Sequence, residues 1–112
     1  MGNFAYGGDL SGQTDGKPIL LGAGATTIHT ATAGTGGWDE VHVEYANSHT
    51  SAVEISVNEG AVGALIISVP SKSGWVTLYA KDLPLNNGNA ITVTPATVDV
   101  IQIKGYFNRY TA

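Results

Sequence analysis

From Glu40 to Asn58, apolar and polar side chains alternate with a period of two, and this alternation limits the possible folds more than any other feature. Val41, Val43 and Tyr45 take one side of a segment whose other side holds His42 and Glu44. A few residues later Val53, Ile55 and Val57 oppose Glu54 and Ser56, and further on Ile91 and Val93 oppose Thr92 and Thr94. A helix cannot use such a pattern, because its apolar stripe repeats every 3.6 residues. A strand buried on one face can, and a slip of one residue would drive a carboxylate into the core. No segment carries a sustained helical period, and β-branched Val, Ile and Thr dominate the chain.

Read this way, the sequence predicts strands over 18–21, 26–33, 40–47, 52–58, 64–69, 74–80, 89–94 and 98–106. Turn clusters rich in Gly, Asn, Pro and Ser separate them, among them Gly34-Thr35-Gly36-Gly37, Asn47-Ser48-His49, Asn58-Glu59-Gly60, Pro70-Ser71-Lys72-Ser73-Gly74 and Asn86-Asn87-Gly88. About eight short strands in 112 residues predict an all-β fold, an antiparallel β-sandwich or jelly roll, with a small closed barrel as the alternative. The short connection from Asn47 to Ser51 predicts that the strands flanking it pair as an antiparallel hairpin.

Residues 1–25 differ in character. Gly2, Gly7, Gly8, Gly12, Gly16, Gly22 and Gly24 interrupt every possible regular element, while Phe4, Tyr6 and Leu10 stand among them as isolated apolar side chains. The expectation is an extended, Gly-rich N-terminal arm over 1–25 and a sandwich domain over 26–112. The arm is either a frayed terminus or a segment that orders when its aromatic residues dock on a neighbouring subunit.

Charge narrows the function. Only 12% of residues are charged and the net charge is −4, so Thr, Ser and Asn must supply most of the polar surface. Such a chain lacks the Lys/Arg clusters with which nucleic-acid binders neutralise phosphates. Its longest apolar run, Ala64 to Ile67, is far too short for a membrane span, and Met1-Gly2-Asn3-Phe4 has no signal-peptide character, so synthesis in a cytoplasm is expected. There is no cysteine, which removes disulfides and thiolate chemistry together.

Motifs of catalysis are sparse. No Ser sits in a nucleophile elbow or an S-x-x-K pairing, and Ser71-Lys72-Ser73-Gly74 reads as a plain turn. Asp39 and Glu40 are adjacent on a predicted strand, so they face opposite sides and read as a solvated strand start rather than an acid/base pair. His29 and His42 are placed on neighbouring strands, where a cross-strand pair would need a third ligand such as Glu44 or Glu54 to hold a metal. No spacing matches a metal motif, so no metal and no cofactor are expected.

Aromatic residues are the stronger lead. Alternation sets Val76, Leu78 and Ala80 on one face of their strand and Trp75, Thr77 and Tyr79 on the other. That second face is either a solvent-facing patch of the kind enriched at hot spots or the core side of a second sheet. Tyr106, Phe107, Arg109 and Tyr110 form another cluster, with the only Arg of the chain, which either clamps a neighbour or closes the sandwich edge. The candidate interface residues are therefore Phe4, Tyr6, Leu10, Trp38, Trp75, Tyr79, Tyr106, Arg109 and Tyr110.

The stretch from Ile28 to Arg109 resembles a known group of proteins. It contains Ile28-His29-Thr30-Ala31, Trp38-Asp39-Glu40-Val41-His42-Val43, Tyr45-Ala46-Asn47-Ser48, Val53-Glu54-Ile55, Asp82-Leu83-Pro84-Leu85-Asn86-Asn87-Gly88 and Gly105-Tyr106-Phe107-Asn108-Arg109. These segments resemble small virion proteins of tailed bacteriophages, most closely the capsid decoration, or cement, proteins. The resemblance implies a β-rich, non-enzymatic structural protein on the outside of a phage capsid. Its partner would be the major capsid protein, whose subunit contacts it would stabilise, and it would itself be a homo-oligomer with a trimer favoured. Synthesis would be in the host bacterial cytoplasm and the final location the virion surface. Tail and fibre components share similar folds, and a carbohydrate-binding β-sandwich is the alternative, with Trp75 and Tyr79, or Trp38 and Asp39, as its platform. A small β-barrel enzyme comes third, because few titratable residues are present to build an acid/base pair.

Overall fold

The computed structural model describes residues 3–34, 36–60 and 62–111; the side chains of residues 3, 62–64, 76 and 78–84 lie outside the description. Nine strands are found among the described residues, and no helix. They are β1 (Asn3–Asp9), β2 (Ile19–Leu20), β3 (Thr26–Thr30), β4 (Gly37–Asn47), β5 (Val53–Glu59), β6 (Val62–Val69), β7 (Ser73–Leu85), β8 (Ala90–Pro95) and β9 (Ile101–Thr111). Two antiparallel sheets result. One has the order β1-β9-β4-β7, with β2 sharing the β1 edge of β9; the other has the order β3-β8-β5-β6. The chain is an all-β protein of two sheets, compatible with the expected sandwich.

Alternation decides what lies between the sheets. Val41, Val43 and Tyr45 of β4 are buried with Ile101, Ile103 and Phe107 of β9. From the other sheet come Val53, Ile55 and Val57 of β5, Ile91 and Val93 of β8, and Val69 of β6. Burying each such side chain contributes about 1.5–3 kcal/mol, so this layer dominates the stability of the fold.

The strands that flank Asn47–Ser51 do not form a hairpin. β4 lies in the first sheet and β5 in the second, so the loop crosses the sandwich rather than turning within one sheet. Alternation states which face of a strand is apolar, and two strands facing each other across a core carry the same pattern as two paired side by side. Asn47 makes the corner: its Nδ2 donates to the carbonyl oxygens of Ser51, Val69 and Pro70 at 3.1–3.2 Å, and its Oδ1 accepts from the His49 amide at 2.9 Å.

The segment expected to stand apart as an arm lies on its own chain. Asn3 to Asp9 pair with Thr111 to Tyr106, and β2 pairs with Ile103 and Gln102. Gly7 is a strand residue because space demands it. A Cβ there would meet Phe107 O at 2.9 Å and Asn108 Oδ1 at 2.7 Å, so the backbone of β9 occupies the place of a side chain. Leu10 and Leu21, which flank the intervening loop, are both in the core.

Candidate functional site

The β4–β9 ladder organises the aromatic residues. Asp39 stands opposite Arg109 and Trp38 opposite Tyr110, followed on the outward side by Glu40 opposite Asn108, His42 opposite Tyr106 and Glu44 opposite Lys104. Since successive residues of a strand point to opposite faces, the Asp39–Arg109 rung faces inward and the Trp38–Tyr110 rung faces out. The outer face of this sheet carries a strip of rings. Trp38 stacks on Tyr110 with centroids 5.5 Å apart, Phe4 meets Tyr110 edge-on at 5.8 Å, and His42 stacks on Tyr106 at 4.7 Å. The Lys104 ammonium sits 4.3 Å above the Trp75 ring, an attraction between a cation and the negative face of a π-system.

Exposure distinguishes these residues. Phe4, Tyr106 and Trp75 are 59%, 49% and 38% exposed, whereas Trp38 and Tyr110 are half-buried by their own stack. Beside Tyr106 a cleft of about 220 Å³ is lined by His42, Val43, Glu44, Thr77 and Gly105. Gly105 makes room for it: a Cβ there would overlap the His42 carbonyl oxygen, so β4 and β9 approach closely only because this position is glycine.

Beneath the strip lies a polar node. Arg109 holds the Asp39 carboxylate with both arms of its fork, Nε donating to Oδ1 at 2.6 Å and an Nη to Oδ2 at 2.8 Å. Its other Nη donates to the Tyr6 hydroxyl, and its guanidinium lies 5.0–5.1 Å from the Tyr6 and Phe107 rings. His29 Nε2 is 2.8 Å from Asp39 Oδ2, and both residues are fully buried. His29 belongs to β3 of the other sheet, so this contact joins the two sheets.

Burial lowers the pKa of His29 below the ordinary imidazole value, and this outweighs the opposing hydrogen bond and charge of Asp39. For Asp39 burial works upward, but hydrogen bonds from Arg109 and His29, with their charges, together hold the carboxyl below the usual carboxylate range. The hydrogen bond to Asp39 raises Arg109. The state these shifts favour is neutral His29 beside an ionised Asp39–Arg109 pair. Both ring nitrogens of His29 are engaged, one by Asp39 and the other by the Ser11 amide, which leaves none facing a hydroxyl nucleophile.

Several sequence expectations are corrected here. Asp39 is buried rather than solvated, and it lies under Trp38 rather than beside it. His29 and His42 are in different sheets, His29 in the interior and His42 on the outer face near Glu40. Leu10 is 1% exposed and has no surface to offer a partner. Arg109 points inward, while Tyr6 is half-exposed at the edge above it. The alternation expected across β7 breaks at a register shift that sets Thr77 opposite Glu44 and Tyr79 opposite Val43; the Tyr79 side chain lies outside the described residues. Among the described residues no group of three metal-ligating side chains comes together.

The sequence already contained the signal for the node. Asp39 has the parity of Val41, Val43 and Tyr45, and Arg109 that of Ile101, Ile103 and Phe107, so both were due to face inward. His42 and Lys104, which complete the outer strip, have the opposite parity. Comparison with protein-family models, with curated proteins and with solved structures found no match.

Proposed function

We propose that the chain is a non-enzymatic structural protein of a tailed-phage virion. It binds the outside of the capsid through the outer face of the β1-β9-β4-β7 sheet and stabilises contacts between major capsid protein subunits. The observation that carries this reading is the ring strip of Phe4, Tyr110, Trp38, His42 and Tyr106, continued by Lys104 and Trp75. Rigid aromatic side chains, half-exposed and already in contact with each other, lose little entropy on docking and offer large area to an apolar partner surface. The low charge of the chain avoids repulsion between many closely packed copies, and charged residues are depleted at interface cores. The sequence resemblance to decoration proteins names the partner. A homo-oligomer, with a trimer favoured, is part of the same proposal.

The test is direct. Purified protein mixed with expanded shells of its cognate capsid protein should co-sediment and raise their resistance to heat or chelator, and Trp75→Ala with Tyr106→Ala should remove both effects. Failure of the unaltered protein to bind those shells overturns the proposal.

A carbohydrate-binding module, free or at a fibre tip, is the second reading, and the cleft beside Tyr106 with Glu44, His42 and Thr77 favours it. Against it, sugar platforms need an open ring face, and Lys104 covers one face of Trp75. A glycan array separates the two: binding lost in Tyr106→Ala supports the sugar site, and silence across a broad array removes it.

A further inference from the structure

The turn after β1 is fastened to β3 by three hydrogen bonds in a row. The Gly12 amide donates to Ile28 O at 2.9 Å, the Ser11 amide to His29 Nδ1 at 3.1 Å, and the Thr30 amide to Ser11 Oγ at 2.7 Å. The middle bond fixes the protonation state of the imidazole. To accept from an amide, Nδ1 must be bare, so the single ring proton sits on Nε2 and is donated to Asp39.

A second proton on His29 has nowhere to go. It would set an N–H against the Ser11 N–H at a site with no exposure to water. Among the described residues, the charged groups facing the ring are Asp39 from β4 and Arg109 from β9; Phe107 packs on it at 4.6 Å, and the Tyr6 hydroxyl of β1 is met through Arg109. The only carboxylate there is already held by both arms of Arg109, so it cannot fully neutralise a new cation. β1 and β3 are both edge strands, β1 paired with β9 over six rungs and β3 with β8 over four, so what the imidazole itself holds is the turn that follows β1.

We propose that His29 is an acid-released latch for the turn after β1: protonation breaks the fastening of residues 10–13 to β3 and frees that turn while the strands stay paired. The sign follows from linkage. In the closed form the imidazole is held below its ordinary value of 6.5, and in the open form it returns towards it. The open form therefore binds more protons, and closing is fully favoured above about pH 6.5 and weakens as pH falls below it. With one proton involved, the opening constant rises about tenfold per pH unit until the closed-form value is reached.

Amide hydrogen exchange followed by NMR between pH 7.5 and 5.0, corrected for the intrinsic pH dependence of exchange, tests this. Protection of Ser11, Gly12 and Thr30 should be constant above about pH 6.5 and fall about tenfold per unit below it, while β5 and β8 stay protected. His29→Gln supplies a donor for Asp39 and an acceptor for Ser11 without titrating, and should flatten the profile. The double variant His42→Gln/His49→Gln leaves His29 as the only imidazole and should keep the transition, with the His29 ring shifts titrating over the same pH range. A flat profile in the unaltered protein, a slope that survives in His29→Gln, or parallel loss of protection in β5 and β8 each overturns the latch. If His29→Gln does not fold, the double variant alone decides, since opening without titration of His29 over the same range has the same force.

Discussion

The two outer faces of the sandwich are built on the same alternating strands and carry opposite chemistry. Outward positions on β4 and β9 hold Trp38, His42, Tyr106 and Tyr110 with Glu40, Glu44 and Lys104 between them. Corresponding positions on β5 and β8 hold small polar groups, with Ser56 opposite Thr94 and Asn58 opposite Thr92. Leu65 and Ile66 of β6 are exposed large apolar side chains of that sheet. Both faces cover equally apolar inner layers, so the fold itself does not require rings on the outside. A sheet covered in threonine satisfies β-propensity as well as one covered in tyrosine. The aromatic strip therefore reflects a demand other than folding, and the proposed docking role falls to that face.

The comparison can be broken most severely from beneath. Asp39→Ala removes the carboxylate that Arg109 and His29 share, and unfolding by denaturant should show a loss of about 3 kcal/mol. The lower end of the usual range applies because the Arg109 side chain keeps 21% exposure and can recover some hydration. Near-ultraviolet circular dichroism should change with it, since Trp38 and Tyr110 flank the lost rung; an unchanged Trp38 signal would show that the strip stands without the node.

On the surface the expected effect is on binding, not stability. Trp75→Ala and Tyr106→Ala should each weaken attachment to capsid shells by about 2 kcal/mol, roughly thirtyfold, as measured by titrated co-sedimentation. Their unfolding midpoints should move little. In the interior, Tyr45 buries a hydroxyl for which no hydrogen-bond partner is found among the described residues, and burial raises its pKa. Tyr45→Phe should therefore raise stability by about 1 kcal/mol in denaturant titration, because the unfolded chain gives up a hydrated hydroxyl that folding leaves unsatisfied. The smallest effect belongs to the other face: Thr92→Ala and Thr94→Ala should change stability by less than about 0.5 kcal/mol and leave shell binding as it was. A binding loss from these two would erase the distinction between the faces.

How far this was legible depends on what kind of information each element needs. β4, β5 and β8 were visible because each carries its burial pattern in its own residues, and Val41 or Ile55 needs no distant partner to declare its side. β1 was hidden because Gly7 is there for the sake of Phe107 and Asn108, a hundred residues away. The separation of β4 from β5 was hidden for a related reason: Asn47 specifies the corner through Val69 and Pro70, which a local reading of the loop does not include. The register shift in β7 was hidden because no composition announces a bulge. The node was half legible, since parity turns Asp39 and Arg109 inward, while His29 joins them only once the sheets are stacked.

β4 is tied to the opposite sheet at both ends, by Asp39 to His29 near its start and by Asn47 to Val69 and Pro70 at its finish. The ties are eight residues apart, about 27 Å along an extended strand. Apolar contact alone has no direction and lets two layers slide over each other at modest cost. A beam clamped at both ends cannot slide lengthwise without tearing a clamp, nor pivot about one of them. The sandwich is thereby stiff against shear along β4, and a load applied at the aromatic face passes into the second sheet through two polar bolts rather than through the grease between them.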